Sequence, residues 1–207
     1  MTEIVTLTSR FLMNIFDQKT YVLLNENEAV IVDAGAELED VKQVVEGKKV
    51  LAVLITHVHF DHVWNLDKYI KEFGCDVYVC KGEEKRFLDP ELNASFIVRK
   101  NLTHEIEQKF VKYYAKKLKL GSFDFEVFFT PGHTSDGVCI LWNKNLFTGD
   151  TVFDDGVGRT DLADSNPFEL SNSLKQIENI DFETAFPGHY NQANKEKILK
   201  TIKYFLW

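Results

Sequence analysis

The chain falls in the α/β class, and three features of its sequence say so. Short runs rich in branched and aromatic residues alternate with amphipathic segments in both halves. No stretch rich in Pro, Gly or Ser divides those halves, and several apolar runs end in polar loops. Layered helices and sheets around a continuous core are the architecture that buries such a pattern. The 207 residues are read as a single domain, 1–207, within the size that one core supports.

The elements follow in order. TYVLL and EAVIVDAG read as strands, a helix is expected from about Leu38 to Glu46, and KVLAVLIT forms the next strand. A second helix is expected from about Val63 to Phe73, ended by Gly74, before the short strand DVYVC. Residues 81–120 are expected to be mainly helical, interrupted by Pro90 and the Asn93–Ser95 region. Within them, KFVKYYAKKLKL at 109–120 places Phe110, Val111, Tyr114 and Leu118 at helical spacing, with a solvated basic face. FDFEVFFT, VCILW and NLFT return to strand. NPFELSNSLKQIENI is a helix opened by Asn166 and Pro167, TAF is a short strand, and KEKILKTIKYFLW is a closing helix.

Composition excludes some functions. With 24 Lys and Arg against 32 Asp and Glu the net charge is −8, which disfavours a nucleic-acid surface. The start MTEIVTLTSRF lacks the marks of a signal peptide and no apolar run has membrane-spanning length, so no membrane role and a cytoplasmic location are expected. Three cysteines, Cys75, Cys80 and Cys139, without CxxC spacing are read as buried reduced thiols.

The chemistry lies at strand ends. THVHFDH at 56–62 gathers His57, His59 and His62, half of the chain's six histidines, with Asp61 beside the last. Three further apolar strands end in TPGH with His133, TGD with Asp150, and PGH with His189. A lone PGH or TGD is usually a turn. Four such ends in one chain point instead to a metal site, because strand ends on one sheet edge converge and the glycines at 132, 149 and 188 permit tight turns. Imidazole and carboxylate donors without thiolate suit zinc, iron or manganese in an open site. The sixth histidine, His104 in NLTHEIEQ, is read as a solvated or capping side chain on a helix.

These residues, THxHxDH with the later His, Asp and His, resemble the metallo-β-lactamase-fold hydrolases. The resemblance runs from about Tyr21 to Tyr190 and implies a four-layer αβ/βα sandwich of two mixed sheets flanked by helices, with the site along one edge. It implies that His57, His59 and His133 bind one divalent ion, that Asp61, His62 and His189 bind a second, and that Asp150 bridges them. Zinc is expected first, with iron or manganese as alternatives. Asp33 in IVDAG matches a position that supports the metal loop. GVGRTDLADSN at 156–166 resembles the GRxD segment of small glyoxalase II-like proteins and of persulfide dioxygenases, and GHYNQAN echoes a glyoxalase pattern.

The activity implied is hydrolysis of a small thioester or ester, a hydroxyacylglutathione-type thioester first, by a water that two metals activate, with Asp61 and Asp150 as catalytic groups. The alternative is an iron-dependent oxygenase resembling persulfide dioxygenases. Arg159 and Tyr190 are the candidate substrate-binding residues, and Arg159 has a second reading in which it holds its own turn through Asp161. The expected partner is a small-molecule substrate, with the chain a monomer or homodimer; S-lactoylglutathione is expected to be cleaved and β-lactams are not.

Overall fold

The computed structural model describes residues 2–10, 17–82 and 84–206. The chain forms two compact units, Met1–Tyr114 with Leu120–Ser122, and Ala115–Lys119 with Phe123–Trp207.

The first unit holds a mixed six-stranded sheet in the order β1 to β6: β1 (Glu3–Thr8), β2 (Lys19–Leu24), β3 (Glu28–Val32), β4 (Lys49–Leu54), β5 (Asp76–Val79) and β6 (Val111–Tyr113). β1, β2 and β3 pair antiparallel, whereas β3 to β6 run parallel. The tight β2–β3 connection is fixed by Asn25, whose side-chain oxygen accepts from the backbone N–H groups of Asn27 at 2.9 Å and Glu28 at 2.6 Å. Parallel neighbours require crossovers, and α1 (Leu38–Val44) and α2 (Leu66–Phe73) supply two of them.

In α2 the apolar side chains Leu66, Tyr69, Ile70 and Phe73 recur at helical spacing, and all four join the core with Ile31, Val53 and Val77. Complete burial of Leu66 alone is worth roughly 1.5–3 kcal/mol. Tyr69 is also fully buried, and its hydroxyl donates to the Ala36 carbonyl at 2.7 Å, so its polar end is satisfied. Gly74 closes the helix with φ 59°, a left-handed cap as expected from the sequence.

The second unit holds a sheet in the order β14-β13-β10-β9-β8-β7, built from β7 (Lys117–Leu120), β8 (Phe123–Phe129), β9 (Val138–Trp142), β10 (Asn145–Gly149), β13 (Thr184–Pro187) and β14 (Ala193–Asn194). A two-stranded ribbon, β11 (Val152–Phe153) with β12 (Gly156–Val157), lies between β10 and β13 in sequence. In β8, Phe123, Phe125 and Val127 are buried and the residues between them exposed, the strict alternation of a half-buried strand. α3 (Pro167–Glu178) starts where the sequence predicts, with the Asn166 side chain accepting from Phe168 N at 2.9 Å and Glu169 N at 3.2 Å. Leu170, Leu174 and Ile177 of α3 and Ile198 and Ile202 of α4 (Lys195–Phe205) share one apolar cluster with Cys139, Leu146 and Ala185 of the sheet.

Two expectations need correction. Residues 81–120 contain no α-helix among the described residues, only 3-10 turns at Glu84–Leu88 and Ser95–Val98, irregular chain, and the strands β6 and β7. Local side-chain hydrogen bonds win there: Asn93 donates to the carbonyls of Arg86 at 3.2 Å and Leu102 at 2.8 Å and accepts from Ser95 N at 3.0 Å. The 109–120 stretch is strand because KLKL in β7 also alternates with period two, with Lys117 and Lys119 exposed along a sheet edge where lysine discourages further pairing. The second correction is His104. It lies outside any helix, is 2% exposed, and sets Nδ1 2.8 Å from an Asp67 carboxylate oxygen on α2.

All three cysteines are unbridged and buried. Burial pushes the Cys75 thiol up to about 12 and that of Cys139 up to about 11. Both should therefore resist a thiol-specific reagent in the folded protein and react on unfolding; rapid labelling of either one before unfolding would contradict this packing. Among the described residues, no helix is long and apolar enough to cross a membrane.

Candidate metal centre

In the first unit the THVHFDH loop leaves β4 and is anchored by Asp33 at the end of β3. Asp33 is 1% exposed, and its carboxylate accepts from Thr56 N at 2.8 Å, from Thr56 Oγ1 at 2.8 Å and from His62 Nδ1 at 2.8 Å. Its φ of 61° is left-handed, a conformation that aspartate tolerates better than most residues. Because a carboxylate only accepts, His62 carries its proton on Nδ1, and Nε2 is the nitrogen left to ligate. A carboxylate that sets a ligand's tautomer is the usual support of a metal-binding imidazole.

His57 is set by the same anchor at one remove. The Thr56 hydroxyl gives its proton to Asp33 and so accepts from His57 Nδ1 at 3.2 Å. His57 Nε2 then stands 3.1 Å from His59 Nδ1. Two nitrogens held on one tetrahedral zinc at 2.0–2.1 Å stand about 3.3 Å apart, so this pair already has the edge length of a metal site. Ligand atoms of His57 and His62, and of Asp61 and His62, lie within 4.8 Å of one another, and all four side chains are buried. The loop is further pinned by Phe60 N to Asn93 O at 2.8 Å and Ala34 N to His62 O at 2.7 Å.

The second unit presents His133, Asp150 and His189. β10 and β13 are adjacent and parallel, so the residues after them, Asp150 and His189, leave the same edge, tied by Gly188 N to Gly149 O at 2.8 Å. Gly132 and Gly149 take the positive φ values expected of tight turns, 137° and 48°. One carboxylate oxygen of Asp150, Oδ2, lies 3.6 Å from His133 Nε2 and 3.4 Å from His189 Nε2. Those separations are long for hydrogen bonds and close to the edge lengths of nitrogen and oxygen ligands around an ion. His133 Nδ1 donates to the Arg159 carbonyl at 2.9 Å, which again leaves Nε2 for a metal.

Each unit thus brings its own predicted ligands together, and neither contributes a thiolate. The set of imidazoles and carboxylates fits divalent zinc, iron or manganese. Of the substrate candidates, Tyr190 directly follows His189, is 59% exposed, and packs its ring on Phe153 at 5.3 Å with φ 63°. Arg159 makes a two-point contact with Asp161, Nε to Oδ1 at 2.6 Å and Nη2 to Oδ2 at 2.7 Å. The hydrogen bond from Arg159 holds the Asp161 carboxyl below the usual carboxylate range. The supporting roles of Thr56 and the Arg159 carbonyl had no signal in the sequence beyond their adjacency to the motifs, because one acts through a hydroxyl and the other through the backbone.

The profile of the Metallo-beta-lactamase superfamily matches residues 14–189, which run through both units. A probable metallo-hydrolase of Bacillus subtilis strain 168, YqgX, is 33% identical over 167 residues, covering 75% of this chain and 76% of the relative. Among solved structures, the B3 metallo-beta-lactamase BLEG-1 superposes with TM-score 0.87 at 28% identity, covering 99% of this chain and 100% of that one. TTHA1623, solved in a di-iron-bound form, superposes with TM-score 0.79 at 25% identity, covering 96% of this chain and 98% of that one. The two mixed sheets and four helices are the fold of that group, and this chain belongs to the metallo-beta-lactamase superfamily.

Proposed function

We propose that this chain is a hydrolase that uses two divalent ions, zinc first with iron or manganese as alternatives, to cleave a small thioester or ester. The observation that carries the reading is the Asp150 oxygen set between the Nε2 atoms of His133 and His189, at 3.6 and 3.4 Å, the disposition of a bridging ligand. His57, His59 and His133 would hold one ion, Asp61, His62 and His189 the other, and Asp150 both. When bound, such a pair lowers the pKa of a shared water from about 15.7 toward 7 and polarises the substrate carbonyl.

The chain's own residues do the rest. Asp61 or Asp150 would orient the attacking water by accepting a hydrogen bond from it. Asp33 and Thr56 keep His57 and His62 in the tautomers that ligation needs. The exposed Tyr190 hydroxyl is the substrate contact we favour, since a left-handed φ at a bulky residue beside a ligand is strain of the kind that functional sites keep. Attack breaks the carbonyl–sulfur bond and yields a carboxylic acid and a thiol.

A hydroxyacylglutathione-type thioester is the leading substrate. The test is a panel of S-lactoylglutathione, lactones, β-lactams and glutathione persulfide on protein whose metals have been quantified, with oxygen uptake followed in parallel. Thioester turnover without oxygen uptake is expected. β-Lactam turnover alone would move the chain toward the activity named for BLEG-1, and persulfide-dependent oxygen uptake would replace hydrolysis by the oxygenase alternative.

A further inference from the structure

The turn that follows β12 is bound to the His133 loop at three points. Asn166 N donates to Gly132 O at 2.7 Å, Ser135 N donates to Asp164 Oδ2 at 3.0 Å, and His133 Nδ1 donates to Arg159 O at 2.9 Å. Gly158 shows how closely the two segments approach. A Cβ there would stand 2.0 Å from the Asp150 carbonyl oxygen and 2.8 Å from His133 Cβ, so a side chain at that position would displace two ligand-bearing residues. On the solvent side the Arg159 guanidinium grips Asp161 at two points, with side chains 56% and 67% exposed.

We propose that Arg159 is a positioning residue for His133: its main-chain carbonyl fixes the imidazole with Nε2 available, and the guanidinium clamp on Asp161 holds that carbonyl in place. The proposal rests on reading His133 as a metal ligand. It assigns the guanidinium to the turn and not to a substrate anion, because the Nε–Nη2 edge is already committed to Asp161 at two points. A planar fork matched to a carboxylate is stiff enough for this task, where a lysine offers one point contact. Because an exposed ion pair adds little to global stability, its removal should loosen the turn without unfolding the protein.

Arg159→Ala, Asp161→Ala, the double variant and Arg159→Lys test this. Zinc affinity is read by chelator competition, the geometry of each bound ion by the visible spectrum of cobalt-substituted protein, and kcat and KM separately. Each alanine variant is expected to weaken one of the two ions about tenfold, at the low end for removing support from a ligand histidine. The double variant should be no weaker than the worse single one, since both remove one device. The cobalt bands of one ion should change, kcat should fall more than KM rises, and Arg159→Lys should recover part of the affinity. Unchanged zinc affinity and cobalt spectrum in Arg159→Ala, with a raised KM for an anionic thioester, would overturn the proposal and return the guanidinium to the substrate. If the unaltered chain bound no ion, the reading of the centre itself would fall and this proposal with it, a result distinct from the previous one.

Discussion

Asp150→Asn is expected to reduce bound metal from two ions to one or fewer and to lower turnover by about 10²–10³-fold or more, the scale for losing one group that holds developing charge. The substitution keeps side-chain volume but removes the negative charge, and in one of its two orientations turns an amide donor toward the nitrogens of His133 and His189. Those nitrogens lie 3.6 and 3.4 Å from the oxygen that is lost. Metal quantification and thioester turnover on the same preparation read the result. Two retained ions with full turnover would show that Asp150 bridges nothing.

Asp33→Asn is the second large effect, and it acts through the support of His57 and His62. The carboxylate accepts from a buried backbone N–H, a buried hydroxyl and a buried imidazole, and asparagine tolerates the same left-handed φ of 61°. The substitution is therefore read through hydrogen bonding and not through backbone strain. The amide nitrogen would face donors where the carboxylate oxygen accepted, at a cost of about 2–3 kcal/mol. That corresponds to roughly 5–10 °C in Tm for a chain of this size. Thermal unfolding should be run on metal-free protein so that lost packing is not confused with lost metal; zinc affinity, measured separately, should fall about 10–100-fold. An unchanged Tm would mean that Asp33 is not the anchor of the loop.

Where a local signal and the tertiary context agree, the sequence was legible. Asn166 and Pro167 announce α3, Gly74 ends α2, and β8 alternates strictly because one of its faces is buried. The clustering of the candidate ligands was legible for a similar reason. His57, His59, Asp61 and His62 lie in one loop, and His133, Asp150 and His189 each follow an apolar strand, so their residue types and positions are themselves the signal.

Residues 81–120 were misread because Phe110, Val111, Tyr114 and Leu118 fall at helical spacing, a local signal that strand pairing overrides. The choice was made by β5, which offers β6 a parallel edge, with Val77 opposite Val111. His104 was misread because the sequence around it is polar, while its partners Phe87 and Asp67 lie 17 and 37 positions away. β1 went unread because its faces are mostly half-exposed, so its pairing with β2, from Glu3 opposite Leu24 to Thr8 opposite Lys19, leaves little mark on the apolar pattern. Arg159 shows a further limit. A motif names the residue, but only the structure reveals that its carbonyl meets His133 while its guanidinium meets Asp161.

Two ions held by these histidines and aspartates, acting on a thioester, are what remains to be measured. The most direct measurement is a titration of metal-free protein with zinc, with S-lactoylglutathione turnover recorded at each addition and bound metal quantified. Saturation at two ions per chain is expected, with full turnover reached only as the second ion binds. Saturation at two ions without turnover of any thioester, or no stoichiometric binding at all, would contradict it.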